Sequence, residues 1–221
     1  MADKIWTGVT DGDYSVSTNW SPSGVPTTSD SVYLTQDYSV DITAGLDQSS
    51  VAIANFGGGT TRGLYLKGSA IAFLSLIRGD VGLAHQYGET STAATIRVKG
   101  GTMVCGTGAS LTTVDAYGGT TKLGTSVTTL NTYAGNVSTS STAAITTLNG
   151  YGGTITHNGT GTITTANLEG ATLDLTNSGL ARTVTTLNLR ANGTIVYDPS
   201  IVIISLQNEA DVPVRVSANN A

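Results

Sequence analysis

A five-residue phrase, hydrophobic-Thr-Thr-hydrophobic-Asn, recurs through the second half of the chain. Its copies are Leu111–Asp115, Val127–Asn131, Ile145–Asn149, Ile163–Asn167 and Val184–Asn188. Successive copies begin 16, 18, 18 and 21 residues apart, and only two depart from the pattern at a single position each, Asp115 in the first and Ala166 in the fourth. A period of about 18 residues predicts that one structural unit is stacked on the next.

The segments between the turn residues have the length of strands, about 4–8 residues, which is too short for paired helices. A glycine-rich corner follows each phrase, as at Gly118-Gly119 and Gly152-Gly153, where the chain needs a positive φ or a close backbone approach. At about 3.3 Å per residue, one unit traces roughly 60 Å, the perimeter of a three-sided coil. The pattern therefore predicts an all-β fold, a single-stranded parallel β-helix (a solenoid), with a right-handed sense.

The repeat extends upstream with less of the Thr-Thr signature, through Val51–Asn55, Ile71–Leu74 and Ala93–Ile96. Residues 46–206 are therefore predicted to form roughly eight coils. Residues 1–45, which hold Trp6 and Trp20, are predicted to be an N-terminal cap, because an exposed terminal coil offers unpaired strand edges. Residues 207–221 are predicted to be a C-terminal arm or edge strand that covers the apolar segment 201–206.

The last position of the phrase predicts a ladder of stacked amides, which we call the amide ladder. Its members are Asp115, Asn131, Asn149, Asn167 and Asn188. Stacked amides can donate from each side chain to the next carbonyl along the axis. The interpretation is structural: these residues hold the solenoid together.

Two residues beyond each ladder position lies a second column, which we call the corner row. Its members are Lys99, Tyr117, Tyr133, Tyr151, Glu169 and Arg190. Charged members are costly to bury unpaired, so the row is predicted to face outward or into an interface. Lys99 is expected against Tyr117, and Glu169 beside Arg190. The tyrosines are either a contact surface for a partner subunit or a sugar, or a stack that braces the coil.

Charge is scarce in this chain. Only 11% of its 221 residues are charged, against about 25% in typical proteins, and the net charge is −5. No basic patch or basic amphipathic helix is visible, so neither nucleic acid nor membrane is an expected partner. The longest apolar run, Ile201–Ile204, is too short to span a bilayer.

Residues with reactive side chains are few and scattered. Cys105 is the only cysteine, interpreted as a small core residue. Asp11 and Asp13 lack the closing Glu of a calcium loop and are interpreted as a capped turn. His85 and His157 fall in different coils and cannot share a metal. The sequence therefore predicts no catalytic residue, no metal and no cofactor, and the uneven repeat steps disfavour a hexapeptide acyltransferase.

The opening of the chain resembles that of autotransporter-like and haemagglutinin-like β-helix proteins. The residues that carry this likeness are Trp6-Thr7-Gly8, Tyr14-Ser15, Asn19-Trp20, Gly24-Val25-Pro26 and Asp30-Ser31-Val32, and the Thr-Thr-Leu-Asn coils are similar to passenger repeats. The start, Met1–Trp6, has no apolar signal-peptide core. That favours the other group with such coils, bacteriophage virion proteins.

The resemblance to virion proteins implies a non-enzymatic capsid decoration or cement protein. It would act as a homotrimer, bind other virion proteins and assemble in the host cytoplasm. Two alternatives remain open: a secreted adhesin domain at the cell surface, and a tailspike-like β-helix that binds or cleaves carbohydrate, with a glycan as its partner.

Overall fold

The computed structural model describes residues 2–10, 15–27, 29–34, 41–42, 50–54, 64–66, 70–84, 90–140, 142–176, 181–190, 192–197, 202–208 and 215–216. Apart from one turn of 3-10 helix, Ser17–Asn19, the regular structure there is β. The strands are β1 (Asp3–Trp6), β2 (Trp20–Ser21), β3 (Ser31–Leu34), β4 (Asp41–Ile42), β5 (Ser50–Ala54), β6 (Leu64–Leu66), β7 (Ala70–Arg78), β8 (Asp80–Leu83), β9 (Ser91–Val98), β10 (Thr102–Cys105), β11 (Ala109–Ala116), β12 (Thr120–Leu123), β13 (Val127–Thr132), β14 (Asn136–Thr139), β15 (Ile145–Gly150), β16 (Thr154–His157), β17 (Ile163–Leu168), β18 (Thr172–Leu175), β19 (Thr183–Leu189), β20 (Thr194–Tyr197), β21 (Val202–Asn208) and β22 (Arg215–Val216).

The strands form two sheets, and from β3 onward the chain alternates between them. Within the described residues, the longer sheet has 12 strands in the order β2-β1-β3-β5-β7-β9-β11-β13-β15-β17-β19-β21, and the shorter has 10, from β4 to β22 through the even-numbered strands. Each strand from β3 on pairs in parallel with its equivalent one coil away, as β11 does with β13. The predicted parallel β-solenoid is confirmed. About six regular turns lie between β9 and β20.

The eight predicted phrases coincide with strands of the longer sheet, from β5 to β19. The sheets also include β3 and β4, which lie in the segment that the sequence analysis assigns to the cap. At the other end, β22 pairs with β20 and becomes the last strand of the shorter sheet. The cap, coil and arm boundaries and the right-handed sense stay predictions.

The Thr-Thr pair marks a bend in the longer strand of each coil. In β15 the burial pattern is inward at Ile145, outward at both Thr146 and Thr147, then inward again at Leu148. A straight strand alternates residue by residue, so two outward neighbours require a change of direction. The register pairing skips the first Thr in coil after coil. The bend lets one strand cover two sides of the coil.

The core is a set of columns running along the solenoid axis. The phrase's second apolar position supplies one column, in which every side chain has 0% exposure: Val114, Leu130, Leu148, Ala166 and Leu187. Burial of such a side chain contributes about 1.5–3 kcal/mol, less for alanine. Because each column is made of similar residues, successive coils pack at a constant width.

The glycine corners are a consequence of coil-to-coil contact. Gly135 has a φ of +79°, in the left-handed region, and a Cβ at this position would lie 2.6 Å from the Gly119 carbonyl oxygen. Gly118 has an ordinary φ, yet a Cβ there would lie 2.7 Å from the Lys99 oxygen. At the corner, the backbone of each coil is therefore in direct contact with the backbone of the preceding coil, and there is no room for a side chain between them.

The first edge of the longer sheet is closed by β2, which pairs antiparallel with β1. Trp6 and Trp20 face each other in this pair, are both buried, and make an edge-to-face contact with ring centroids 4.9 Å apart. Asp30 accepts hydrogen bonds from the backbone N–H groups of Thr27 and Ala2. These bonds lower the pKa of Asp30 to about 2 and hold the start of β1 against β3.

Substitution of Gly135 by alanine tests whether close stacking at the corner sets the stability of the coil. We expect the free energy of unfolding, from urea denaturation, to fall by about 1–3 kcal/mol, because the methyl group meets a carbonyl and φ is positive. Ala134→Ser, at the exposed neighbouring position, is the control and should change it by less than about 0.5 kcal/mol. Equal values for the two variants would contradict this account.

Candidate interaction surface

The amide ladder is present with the hydrogen bonds that the sequence predicts. Asn131 Nδ2 donates to Asp115 Oδ1 at 2.8 Å, and Asn149 Nδ2 donates to Asn131 Oδ1 at 2.9 Å. Asn167 and Asn188 continue the series at 2.8 and 2.7 Å. Each side chain lies part-buried on the outer face of the longer sheet, where its amide joins one coil to the next.

The ladder has a direction, because every amide donates toward the N-terminal coil. The aligned amide dipoles therefore put their positive end at Asp115, where a carboxylate accepts the first bond. Asp115 is also 3.6 Å from Arg97 Nη2, which lies one coil earlier. At the other end Asn188 Oδ1 is buried and has no hydrogen-bond partner among the described side chains; the residue in register there is Gln207.

The tyrosines of the corner row are stacked and exposed. The Tyr117 and Tyr133 ring centroids are 4.5 Å apart with an angle of 4° between the planes, and Tyr133 and Tyr151 are 5.1 Å apart at 16°. The three side chains retain 41%, 41% and 49% of their exposure. The tyrosines therefore both brace the coil and remain exposed: the rings stack on one another, and each residue keeps at least two fifths of its surface accessible to solvent.

Stacking determines what these rings can bind. A sugar docks on the face of an aromatic ring, and both faces of Tyr133 are covered by its neighbours. Shielding from water, followed by the nearby Tyr117 and Asp115, raises the pKa of the Tyr133 hydroxyl, so it stays protonated. The row therefore offers ring edges and hydroxyls, which suit a protein surface better than a sugar ring.

The sequence analysis missed Arg97, which connects the amide ladder to the corner row. Its guanidinium carbon lies 5.7 Å from the Tyr117 ring centroid and 5.2 Å from that of Phe73, while Nη2 faces Asp115. Arg97 is thus a cation over Tyr117 that the sequence analysis did not name, and the contact of Lys99 with Tyr117 stays a prediction. A single arginine in a column of asparagines and aspartate was the available signal.

The charged members of the corner row occupy the predicted positions. Backbone N–H groups of Lys99, Glu169 and Arg190 each bond to the preceding coil in the same way as those of the tyrosines, and all three residues are exposed. The structure thus brings the six predicted residues into one outward row. Pairing of Glu169 with Arg190, and the row's role in binding, stay predictions.

Two interior residues that can carry chemistry are fully enclosed. Cys105 is buried, as the sequence predicts, and burial raises its pKa to about 12. His157 Nδ1 accepts from Thr139 Oγ1 at 2.7 Å, and its Nε2–H donates to the Gly161 carbonyl at 2.7 Å. Burial lowers the pKa of His157, so the ring is neutral in the core.

Other expectations concern metal, membrane and catalysis. In the described ranges no group of three or more His, Cys, Asp or Glu residues could hold a metal ion. Nor does that part of the chain contain a helix long and apolar enough to cross a membrane. His85, Asp11 and Asp13 lie outside the described residues.

A shallow groove of about 410 Å³ runs across the shorter sheet. Val104, Lys122 and Ser138 form its floor, and the loops that follow their strands form one wall. Its polar groups are hydroxyls, one lysine and Asn158.

The fold and the corner row together define the chain as a parallel β-solenoid with an aromatic, outward-facing corner. No family model, curated protein or solved structure matches it. The class of the protein therefore rests on its strand order and register, and the resemblance in its opening residues has no support from a relative.

Replacing Asn149 with alanine tests the amide ladder. The change removes the donor to Asn131 and the acceptor for Asn167, so we expect the free energy of unfolding in urea to fall by about 1–3 kcal/mol. Thr146→Ala, at an exposed position of the same strand, is the control and should have little effect.

Asn149→Asp refines the same test. The new carboxylate still accepts from Asn167, but it places an oxygen against Asn131 Oδ1 where the amide donated. We therefore expect Asn149→Asp to be less stable than Asn149→Ala at pH 7. Its free energy of unfolding should rise as acid protonates the carboxylate and restores an O–H donor. A loss that does not depend on pH would contradict the direction assigned to the ladder.

The buried His157 predicts a loss of stability in acid. Its pKa is lowered from 6.5 in the folded chain, so its contribution is complete above pH 6.5 and is lost as the pH falls below that value, when the unfolded chain takes up the proton first. Urea unfolding of the wild type and of His157→Gln between pH 7.5 and pH 5 is the measurement. The wild type should lose more stability across this interval; parallel curves would contradict the assignment.

Proposed function

We propose that this chain is a non-enzymatic structural protein of a virion, of the capsid decoration or cement type. The observation that carries the proposal is the corner row: three stacked, exposed tyrosines held in fixed positions on a continuous parallel stack. Aromatic residues with a polar end are enriched at protein contact surfaces. The low charge of the chain suits a protein whose contacts are made by shape and apolar area.

The mechanism would be passive reinforcement. A solenoid whose coils are joined by backbone bonds and by the amide ladder resists bending, and its row presents the same contact along its length. Side chains that are already ordered lose little entropy on binding. Repetition over a lattice of shell proteins multiplies weak contacts into stable attachment. Assembly in the host cytoplasm and a homotrimeric state belong to this proposal.

A tailspike-like or carbohydrate-binding role is the second candidate, because the fold is compatible with it and the groove over the shorter sheet is lined by hydroxyls and Lys122. An adhesin domain at a cell surface is a third role that the fold allows. Both would bind a glycan or a cell in the absence of any particle.

Sedimentation with particles tests the proposal. Purified chain, mixed with virions of the phage that encodes it and centrifuged through sucrose, should pellet at a fixed ratio to the shell protein. The amount of the triple variant Tyr117→Ala/Tyr133→Ala/Tyr151→Ala in the pellet should be at least tenfold lower. The control is Thr128→Ala/Thr146→Ala/Thr164→Ala, at exposed positions of the Thr-Thr bend, and it should match the wild type. Absence from the pellet, with binding to a glycan array, would replace the proposal by the second candidate.

A further inference from the structure

Four of the seven large apolar side chains that are exposed among the described residues lie in one column, and the other three, Ile5, Val9 and Val25, lie near the N-terminus. Ile77 follows Leu76, which is in register with Val98, so Ile77 occupies the position of Lys99 one coil earlier. It is 45% exposed, and the corner row supplies the three tyrosines of similar exposure. The full column, from the N-terminal coil on, is Ile77, Lys99, Tyr117, Tyr133, Tyr151, Glu169 and Arg190.

The order of charges in this column is self-complementary when it is reversed. Tyr133 is the centre, with Tyr117 and Tyr151 one coil away on either side. Two coils away lie Lys99 on one side and Glu169 on the other, about 10 Å from the centre at roughly 4.8 Å per coil. Turning a second copy end for end about Tyr133 places Lys99 of each copy opposite Glu169 of the other.

We propose that the corner row joins two copies of this chain side by side and antiparallel, about a two-fold axis at Tyr133. The tyrosine edges of the two copies form the centre of the contact, and two Lys99–Glu169 pairs flank it. Three coils from the axis, Ile77 faces the aliphatic stem of Arg190, a pairing that long cationic side chains make readily. The proposal rests on the row being a contact surface, as assigned above, but it gives that surface to a second copy of the chain in place of a shell protein, and it replaces the homotrimer by a dimer.

Parallel arrangements lack this complementarity. A three-fold or two-fold axis that runs along the solenoid brings each level of the row against its own equivalent. Lys99 would then lie beside Lys99 and Glu169 beside Glu169, and like charges that face each other are destabilising. The charge order thus favours an isologous, antiparallel pair, the commonest symmetry of small homo-oligomers.

The surface beside the row permits close approach. The positions next to Tyr117 and Tyr151 are Gly118 and Gly152, which carry no side chain, so the rings stand above flat backbone. The rings are mutually stacked before association, which limits the entropy lost on contact. A tyrosine hydroxyl can both donate and accept a hydrogen bond across the axis.

Sedimentation equilibrium of the purified chain, without particles, is the first measurement. The wild type should behave as a monomer–dimer system whose dimer has twice the 22.4 kDa mass of the chain. Lys99→Glu and Glu169→Lys should each weaken dimerisation at least tenfold, because each sets two pairs of like charges across the axis. Lys122→Glu, a charge reversal at an exposed position of the shorter sheet, should dimerise like the wild type.

Mixing gives the discriminating result. The Lys99→Glu chain carries Glu at both flanking positions and the Glu169→Lys chain carries Lys at both, so an equimolar mixture should form a heterodimer with both pairs restored. The double variant Lys99→Glu/Glu169→Lys should dimerise with itself. Circular dichroism melts check that every variant is folded.

A monomeric or trimeric wild type, or single reversals that dimerise like the wild type, would overturn the antiparallel pair. Particle sedimentation is scored separately. Virion binding by a chain that stays monomeric removes the pair and leaves the proposed function, whereas a dimer that ignores virions removes the proposed function and leaves the pair.

Discussion

Parallel stacking is the constraint on which the rest of this structure depends, because it makes each residue's nearest neighbour the equivalent residue one coil away. A column must therefore be built from groups that tolerate their own kind at about 4.8 Å. Amides satisfy this by donating and accepting in series, aromatic rings by stacking, and glycine by leaving room. Like charges do not satisfy it. The scarcity of charge in the chain follows, and where Arg97 and Asp115 do succeed each other in one column they have opposite signs and lie 3.6 Å apart.

A series of amides also needs ends, and the two ends differ chemically. The N-terminal end presents N–H groups and finds the Asp115 carboxylate, which Arg97 in turn balances. Arg97 then extends over Tyr117, so the amide ladder and the stacked tyrosines share one residue. His157 shows the same principle inside the core, since it succeeds Thr139 in its column and the two side chains satisfy each other.

The repeating features of the fold were predictable from the sequence because a column is visible as a period. The eight phrases, the glycine corners and the amide bonds belong to this class. Features that occur once were not predictable, because a single residue produces no repeat in the sequence. Arg97 contacts Phe73, Tyr117 and Asp115, yet in the sequence it is only one arginine in a column of other residues. The bend at Thr-Thr was missed for another reason, because both threonines suit a strand equally and only their burial, as at Thr146 and Thr147, shows that the alternation breaks. The position of the corner row was predictable from the period. The stacking that covers the ring faces was not, because it depends on side-chain orientation, which the period does not specify.

The same constraint governs how the molecule can meet a copy of itself. Within the chain, the column runs from Lys99 through three tyrosines to Glu169. No two like charges lie in successive coils of this stretch. A parallel neighbour places each residue of the column beside the same residue of the other copy. Lys99 then faces Lys99 and Glu169 faces Glu169, which are the contacts between like charges that the single chain avoids. An antiparallel neighbour reverses the order of the column, so unlike residues meet and only the central tyrosine faces its equivalent. A column that is nearly uniform at its centre and opposite in charge at its two flanks is therefore compatible with self-association in one orientation and disfavours the other.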